Sequence, residues 1–195
     1  MIATHRLDEM PPGEAYALLT RVVQPRPIAL VSTLSLAGVP NLAPFSFFMA
    51  GGSNPPSVCY SPTLNGEGEE KDSLRNVRET GEFVVNTVHR AMADGMNAAS
   101  ASLGPGESEW SLTGFTALAS ELVRPARVAE SLAQLECRLF EVIAHGDGPT
   151  AARYVIGEVV RLHLDEAAFE TIARLGGKDY LDTATGRTFA LNRPT

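Results

Sequence analysis

Cysteine, histidine and tryptophan are scarce in this sequence, and long apolar runs are missing. Cys59 and Cys137 are the only cysteines, and each lies in an apolar stretch. They read as small buried hydrophobes, not as a disulfide framework. His5, His89, His145 and His163 show no metal-ligand spacing. No stretch of eighteen apolar residues occurs, so no membrane span is expected. The opening MIATHRLDEM lacks the apolar core of a signal peptide, and the expected setting is a reducing cytoplasm. Positive charge is short too: sixteen Lys and Arg against twenty-three Asp and Glu give a formal net charge of -7, which argues against a nucleic-acid partner. The signatures GxxxxGK[ST], HExxH, GxSxG, paired CxxC and the EF-hand loop are all missing, which removes the usual anchors for phosphate-loop, zinc, esterase and calcium chemistry. No side chain stands out as a catalytic nucleophile.

What remains, 44% hydrophobic and 20% charged over 195 residues, is the composition of one globular domain spanning residues 1–195. Pro11-Pro12-Gly13 opens a short helix that stops before Pro25. Residues 27–35 are β-rich and turn back at Ala37-Gly38 as a hairpin. Residues 41–49 are apolar but carry Pro44 and Ser46; an irregular loop is expected over 51–56 and a strand over 57–61. Lys71-Asp72-Ser73 opens a helix with Asp72 or Ser73 as N-cap and Gly81 as its stop, followed by a strand over 83–86. Met92, Met96, Ala99 and Leu103 form one apolar helix face within 89–103. The following Gly104-Pro105-Gly106 lacks the preceding strand that a dinucleotide loop needs, and Trp110 reads as a core or interface residue. Residues 135–142 and 154–164 predict two long strands joined at Gly146-Asp147-Gly148. Asp165 predicts the cap of a last helix, with Phe169 and Ile172 inward and Gly176-Gly177 as its end, before an irregular tail over 178–195. Many short strands without βαβ alternation predict a mainly β protein: a closed or nearly closed antiparallel barrel of Greek-key character with a few peripheral helices.

Four motifs in order carry a family resemblance. They are RPIALVSTLSLAGVPNLAPFSFF from Arg26 to Phe48, Asn54-Pro55-Pro56, KDSLRN from Lys71 to Asn76, and TGEFVVN from Thr80 to Asn86. YVIGEVV from Tyr154 and RLGGKDY from Arg174 extend the likeness over nearly the whole chain. The sequence resembles the flavin reductase-like family. The resemblance implies an FMN-binding split barrel, with FMN held at a homodimer interface and electrons passing from NAD(P)H through the flavin to an acceptor.

The FMN phosphate calls for hydroxyls, backbone N–H groups and a lysine, and its ring for apolar walls and donors. Lys71 and Ser73 suit the phosphate, although alone they read as a solvated lysine and a helix cap. Ser32, Thr33 and Ser61 suit the ribityl chain or phosphate. Asn41, Ala43, Pro44, Phe45 and Ser46 are the expected ring cradle, because Pro44 has no N–H and its neighbours' amides are then expected to leave the ladder and face the ring. Asn41 alone reads as a turn cap, and at least two rings of Phe45, Phe47 and Phe48 as core. Arg26 is assigned to the flavin phosphate or to a surface ion pair. Tyr180 is expected to approach the flavin from the partner subunit.

One departure bears on activity. Many members carry a nicotinamide-receiving histidine five residues before the glycine matched by Gly157; here that position is Ala152, with Arg153 and His145 as possible substitutes. An electron carrier reduced by a partner protein, and a cofactor-free binding module, therefore stand as alternatives.

Overall fold

The computed structural model describes residues 2–104 and 106–194, so the Gly104-Pro105-Gly106 reading falls partly outside the described residues. Helix α1 (Pro12–Val22) precedes strands β1 (Arg26–Pro27), β2 (Ala29–Leu34), β3 (Pro40–Phe45), β4 (Phe48–Ser53) and β5 (Pro56–Tyr60). Helix α2 (Asp72–Thr80) leads to β6 (Glu82–Thr87), α3 (Ala93–Ala98) and α4 (Trp110–Thr113). The rest is β: β7 (Ala117–Leu118), β8 (Arg127–Val128), β9 (Ala133–His145), β10 (Ala152–Leu164), β11 (Ile172–Gly176), β12 (Asp179–Asp182) and β13 (Thr188–Ala190).

Seven strands form one antiparallel sheet in the order β3-β2-β6-β9-β10-β5-β4. Laid flat, its edges would be separated by six strand spacings, roughly 29 Å. Yet the edge strands β3 and β4 are consecutive, joined only by Ser46 and Phe47, a link that reaches about 11 Å at most. The sheet therefore curls into a barrel that stays split between β3 and β4. The pairings β2–β6 and β5–β10 between distant segments give the Greek-key character.

Strand β2 is buried on both faces, as a central strand's continuous apolar run requires. Ala29 and Val31 face an inner cluster with Tyr60, Phe83 and Val155, into which α2 inserts Leu74 and Val77. Leu30 faces an outer cluster built on Met92, Met96, Ile172 and Tyr180. That second cluster joins the barrel to a smaller sheet, β1-β11-β12-β13.

Several local expectations are corrected by strand pairing. No helix follows Asp165: its carboxylate accepts the Ala167 N–H at 2.9 Å in a turn, Phe169 is exposed, and Ile172 opens β11. The tail over 178–195 contributes β12 and β13 to the smaller sheet. Gly51-Gly52-Ser53 belongs to β4, whose ladder with β5 skips the two glycines at a register shift and resumes at Ser53 opposite Pro56. Lys71, not Asp72 or Ser73, is the N-cap residue of α2, while Gly81 ends it in the left-handed region at φ 71°. The helix expected over 89–103 is the short α3, ending at Ala98.

Two packing features yield measurable consequences. A Cβ added at Gly157 would collide with Phe83, lying 2.7 Å from its Cε1, and Phe83 is fully buried with no room to swing. Gly157→Ala is expected to destabilise the fold by about 1–3 kcal/mol, the usual cost of overpacking, read as a lowered midpoint of chemical unfolding. Glu136 is also fully buried; it accepts the N–H groups of Glu121 at 2.9 Å and Leu122 at 2.6 Å and lies 2.8 Å from His163 Nε2. Burial pushes its carboxyl up, but those amides and His163 outweigh burial and hold it below the usual carboxylate value. A depressed native pKa contributes stability above the unfolded value, about 4.3 for Glu, and that contribution is lost as pH falls through the native value. Urea midpoints between pH 6 and pH 3 should therefore fall more steeply for the wild type than for Glu136→Gln, which starts lower.

Candidate functional site

The split in the barrel exposes the end of β3, and there the chain forms a small chamber of about 70 Å³. Its walls include Ile28, Pro44, Phe45 and Ser46 from the barrel side, Met96 from α3 and Tyr180 from β12. It adjoins an open cleft of about 370 Å³ lined by Thr20, Arg26, Gly177, Lys178 and Asn192 among others. Tyr16, Arg174 and Arg193 line both.

Of the expected ring cradle, Pro44, Phe45 and Ser46 meet here, and Tyr180 joins them from the same chain. The segment is not irregular: residues 40–45 pair with β2 throughout. Pro44 is tolerated because β3 is an edge strand. The Leu42 N–H points outward, donating to Glu109 Oε2 at 3.1 Å. Ladder alternation then turns the Ala43 and Phe45 amides inward to β2, so Ser46, beyond the strand, keeps the amide free of that ladder.

Asn41 and Thr33 have partners within the chain. Asn41 Nδ2 donates to Glu109 Oε2 at 2.7 Å, the Thr33 hydroxyl donates to Asn41 Oδ1 at 3.3 Å, and Asn76 Nδ2 donates to Thr33 Oγ1 at 3.1 Å. This network ties β2, β3, α2 and the approach to α4 together. Ser32 and Ser61 differ: both are buried, and both hydroxyls lack a partner among the described residues. A buried unpaired hydroxyl is costly; Tyr60 Oη, Ser108 Oγ and Trp110 Nε1 share that state, and neither serine is among the residues that line the chamber or the cleft.

Arg26 is spent on the fold. Its Nη1 donates to the carbonyls of Thr20 at 2.8 Å, Val23 at 2.6 Å and Leu175 at 3.2 Å, so it closes the C-terminal end of α1, where a cation is favoured. It makes no ion pair among the described residues; its Nε donates to Ser46 Oγ at 3.4 Å, and the side chain lines the cleft. Lys71 is exposed at the start of α2; partial desolvation and the nearby Arg193 charge lower its pKa. Ser73 is buried one residue inside that helix.

Arg174, Lys178 and Arg193 are functional candidates that the sequence reading passed over. Arg174 and Tyr180 are cross-strand neighbours in the β11–β12 hairpin. The guanidinium lies over the Tyr180 ring, 4.6 Å from its centroid, and donates to its hydroxyl and to the Gly177 carbonyl. Burial pushes the Tyr180 phenol up, against the pull of Arg174. The RLGGKDY motif held this pair, but reading its first half as a helix end concealed that the two residues sit opposite each other. Among the described residues no group of three or more His, Cys, Asp or Glu could hold a metal.

Comparison with known proteins places this arrangement. A protein of Halalkalibacterium halodurans is 40% identical over 200 residues, covering 96% of this chain and 95% of its own. The crystal structure of nitrilotriacetate monooxygenase component B from Bacillus cereus superposes with a TM-score of 0.88 at 34% identity, covering 98% of this chain and 99% of that one. The 2-nitrobenzoate 2-nitroreductase of Pseudomonas fluorescens gives a TM-score of 0.83 at 29% identity, covering 99% and 97%. With residues 22–182 matching the flavin reductase like domain, and a split barrel on the page, the chain belongs to the flavin reductase-like family.

Proposed function

We propose that this protein is an FMN-binding oxidoreductase that draws electrons from NAD(P)H and passes them to an acceptor, acting in the cytoplasm as a homodimer. The observation that supports it most is a chamber at the barrel split walled by Ile28, Pro44, Phe45, Met96 and Tyr180, beside a cationic cleft that shares some of its walls: a place for a flat ring with room for an anionic donor next to it. The unpartnered hydroxyls of Ser32 and Ser61, neither of which lines the chamber or the cleft, are assigned under this reading to the oxygen-rich ribityl chain and phosphate.

Bound FMN would supply the ring that accepts electrons from a nicotinamide and releases them to an acceptor. The chain's own residues hold and orient. Pro44, Phe45 and Tyr180 wall the ring and exclude water, while Ser46 offers a donor at its edge. Lys71 and Ser73, at the start of α2, bind the phosphate with the help of the helix's first N–H groups. Ala152 lies directly across the β9–β10 ladder from His145, whose ring stacks on Tyr154 at 6.3 Å. His145 is thus the imidazole available to a nicotinamide, since Arg153 is engaged with the Gly146 and Ala152 carbonyls. Ala152 itself favours a second reading, an electron carrier reduced by a partner protein.

The dimer is supported by a row of apolar side chains on one face of the barrel sheet. Met49, Cys59 and Ile156 are aligned by register, with Ile143 and Tyr154 beside them, and Met49 is 59% exposed. Light scattering should give a dimer that Tyr154→Lys weakens; a wild-type monomer that binds FMN in full would reject a shared site.

Visible absorbance with added FMN, then anaerobic NADH or NADPH, tests the central reading. A bound-flavin spectrum that bleaches quickly is the expected result. Slow bleaching by either nicotinamide, with fast bleaching by a cognate reductase, would assign the carrier role instead, and failure to take up FMN would reduce the protein to a cofactor-free module.

A further inference from the structure

Acidic side chains outnumber basic ones by twenty-three to sixteen, yet no aspartate or glutamate lines either the chamber or the cleft. Four cations line the cleft, Arg26, Arg174, Lys178 and Arg193, and none makes an ion pair among the described residues. Arg26 is committed to backbone carbonyls, and Arg174 partly so. The side chains of Lys178 and Arg193 are exposed and donate to no acceptor among the described residues.

The backbone holds these two together. Lys178 sits in the turn of the β11–β12 hairpin, and Arg193 on the segment after β13. The Leu191 N–H donates to the Lys178 carbonyl at 3.0 Å, and Asn97 Nδ2 donates to the Asn192 carbonyl at 2.6 Å, which straps the segment across the rim. Two free cations, with a third behind them and no carboxylate to neutralise them, form an anion site of high charge.

We infer that Lys178 and Arg193, backed by Arg174, recognise a phosphate monoester on the electron donor, so that the protein selects NADPH over NADH. This rests on the oxidoreductase reading above. A terminal monoester carries about -1.5 to -2 charge and three acceptor oxygens, more than either phosphoryl group of a pyrophosphate presents. In a donor that differs from NADH only by a 2′-phosphate, an arginine is the group that accommodates the difference. The exposed, hydrated rim suits a ligand that exchanges at every turnover, whereas a resident cofactor's phosphate belongs with the buried Ser73 hydroxyl and the first N–H groups of α2.

Equilibrium titration of the FMN-loaded protein with NADP⁺ and NAD⁺, which cannot reduce it, provides the test, with Lys178→Gln and Arg193→Gln as exposed variants. The wild type should bind NADP⁺ about tenfold more tightly than NAD⁺, the lower end for charge-assisted bonds at an exposed site. Each variant should lose most of that preference while keeping its affinity for NAD⁺. Equal affinities in the wild type, or variants that weaken both dinucleotides alike, overturn the inference. So does a change confined to FMN against riboflavin, which would give the cleft to the flavin's own phosphate. A protein that takes up no FMN but still prefers NADP⁺ would sink the oxidoreductase reading and leave this subsite standing.

Discussion

A link of two residues governs this molecule. Ser46 and Phe47 join the opposite edges of a seven-stranded sheet, and no flat sheet can satisfy that connection. Curling relieves it and encloses the inner cluster around Tyr60 and Phe83, but the two edges do not pair with each other. The opening left between them exposes the end of β3. The chamber is therefore a consequence of how the barrel closes: Pro44, Phe45 and Ser46 wall it because they lie where pairing stops.

The second sheet supplies the other wall. Strand β1 leads directly into β2, and its pairing with β11 carries the β11–β12 hairpin against the barrel beside the split. Arg26 fixes that junction from three sides by binding the end of α1 and the Leu175 carbonyl. Tyr180 and Arg174 then arrive as a cross-strand pair. Fold and site share residues here, because Arg26 both braces this wall and lines the cleft beside it.

Features whose signal is local were legible in the sequence. The β2–β3 and β9–β10 hairpins follow from alternation between turn residues, and α2 from Leu74, Val77 and the Gly81 stop. The misreadings share one cause, which is that the deciding partner is a strand that local spacing does not announce. Asp165 with Phe169 and Ile172 has the spacing of a capped helix, and only β1 and β12 make residues 172–176 a strand. Gly51 and Gly52 read as loop, yet β4 runs through them as an irregularity to Ser53, which pairs with Pro56. In the site, the ring-cradle segment was visible because a proline in an apolar run is unusual, whereas Arg193 has no local signature and gains its place through the Leu191–Lys178 and Asn97–Asn192 hydrogen bonds.

The distribution of charge completes the argument. With a net charge of -7, the chain would repel an anionic ligand unless its carboxylates were kept from the site. Several are bound to the fold elsewhere: Glu109 holds β3 through Asn41 and the Leu42 amide, Glu136 holds the amides of Glu121 and Leu122, and Glu82 pairs with Arg124 at 2.9 Å. Glu109 is the telling case, because it takes up the outward N–H of β3 just before the chamber begins, and so finishes the strand edge without placing a negative charge among the lining residues. On an acidic chain, a carboxylate-free, cationic cleft draws anions to itself, and this cleft adjoins the chamber at the barrel split.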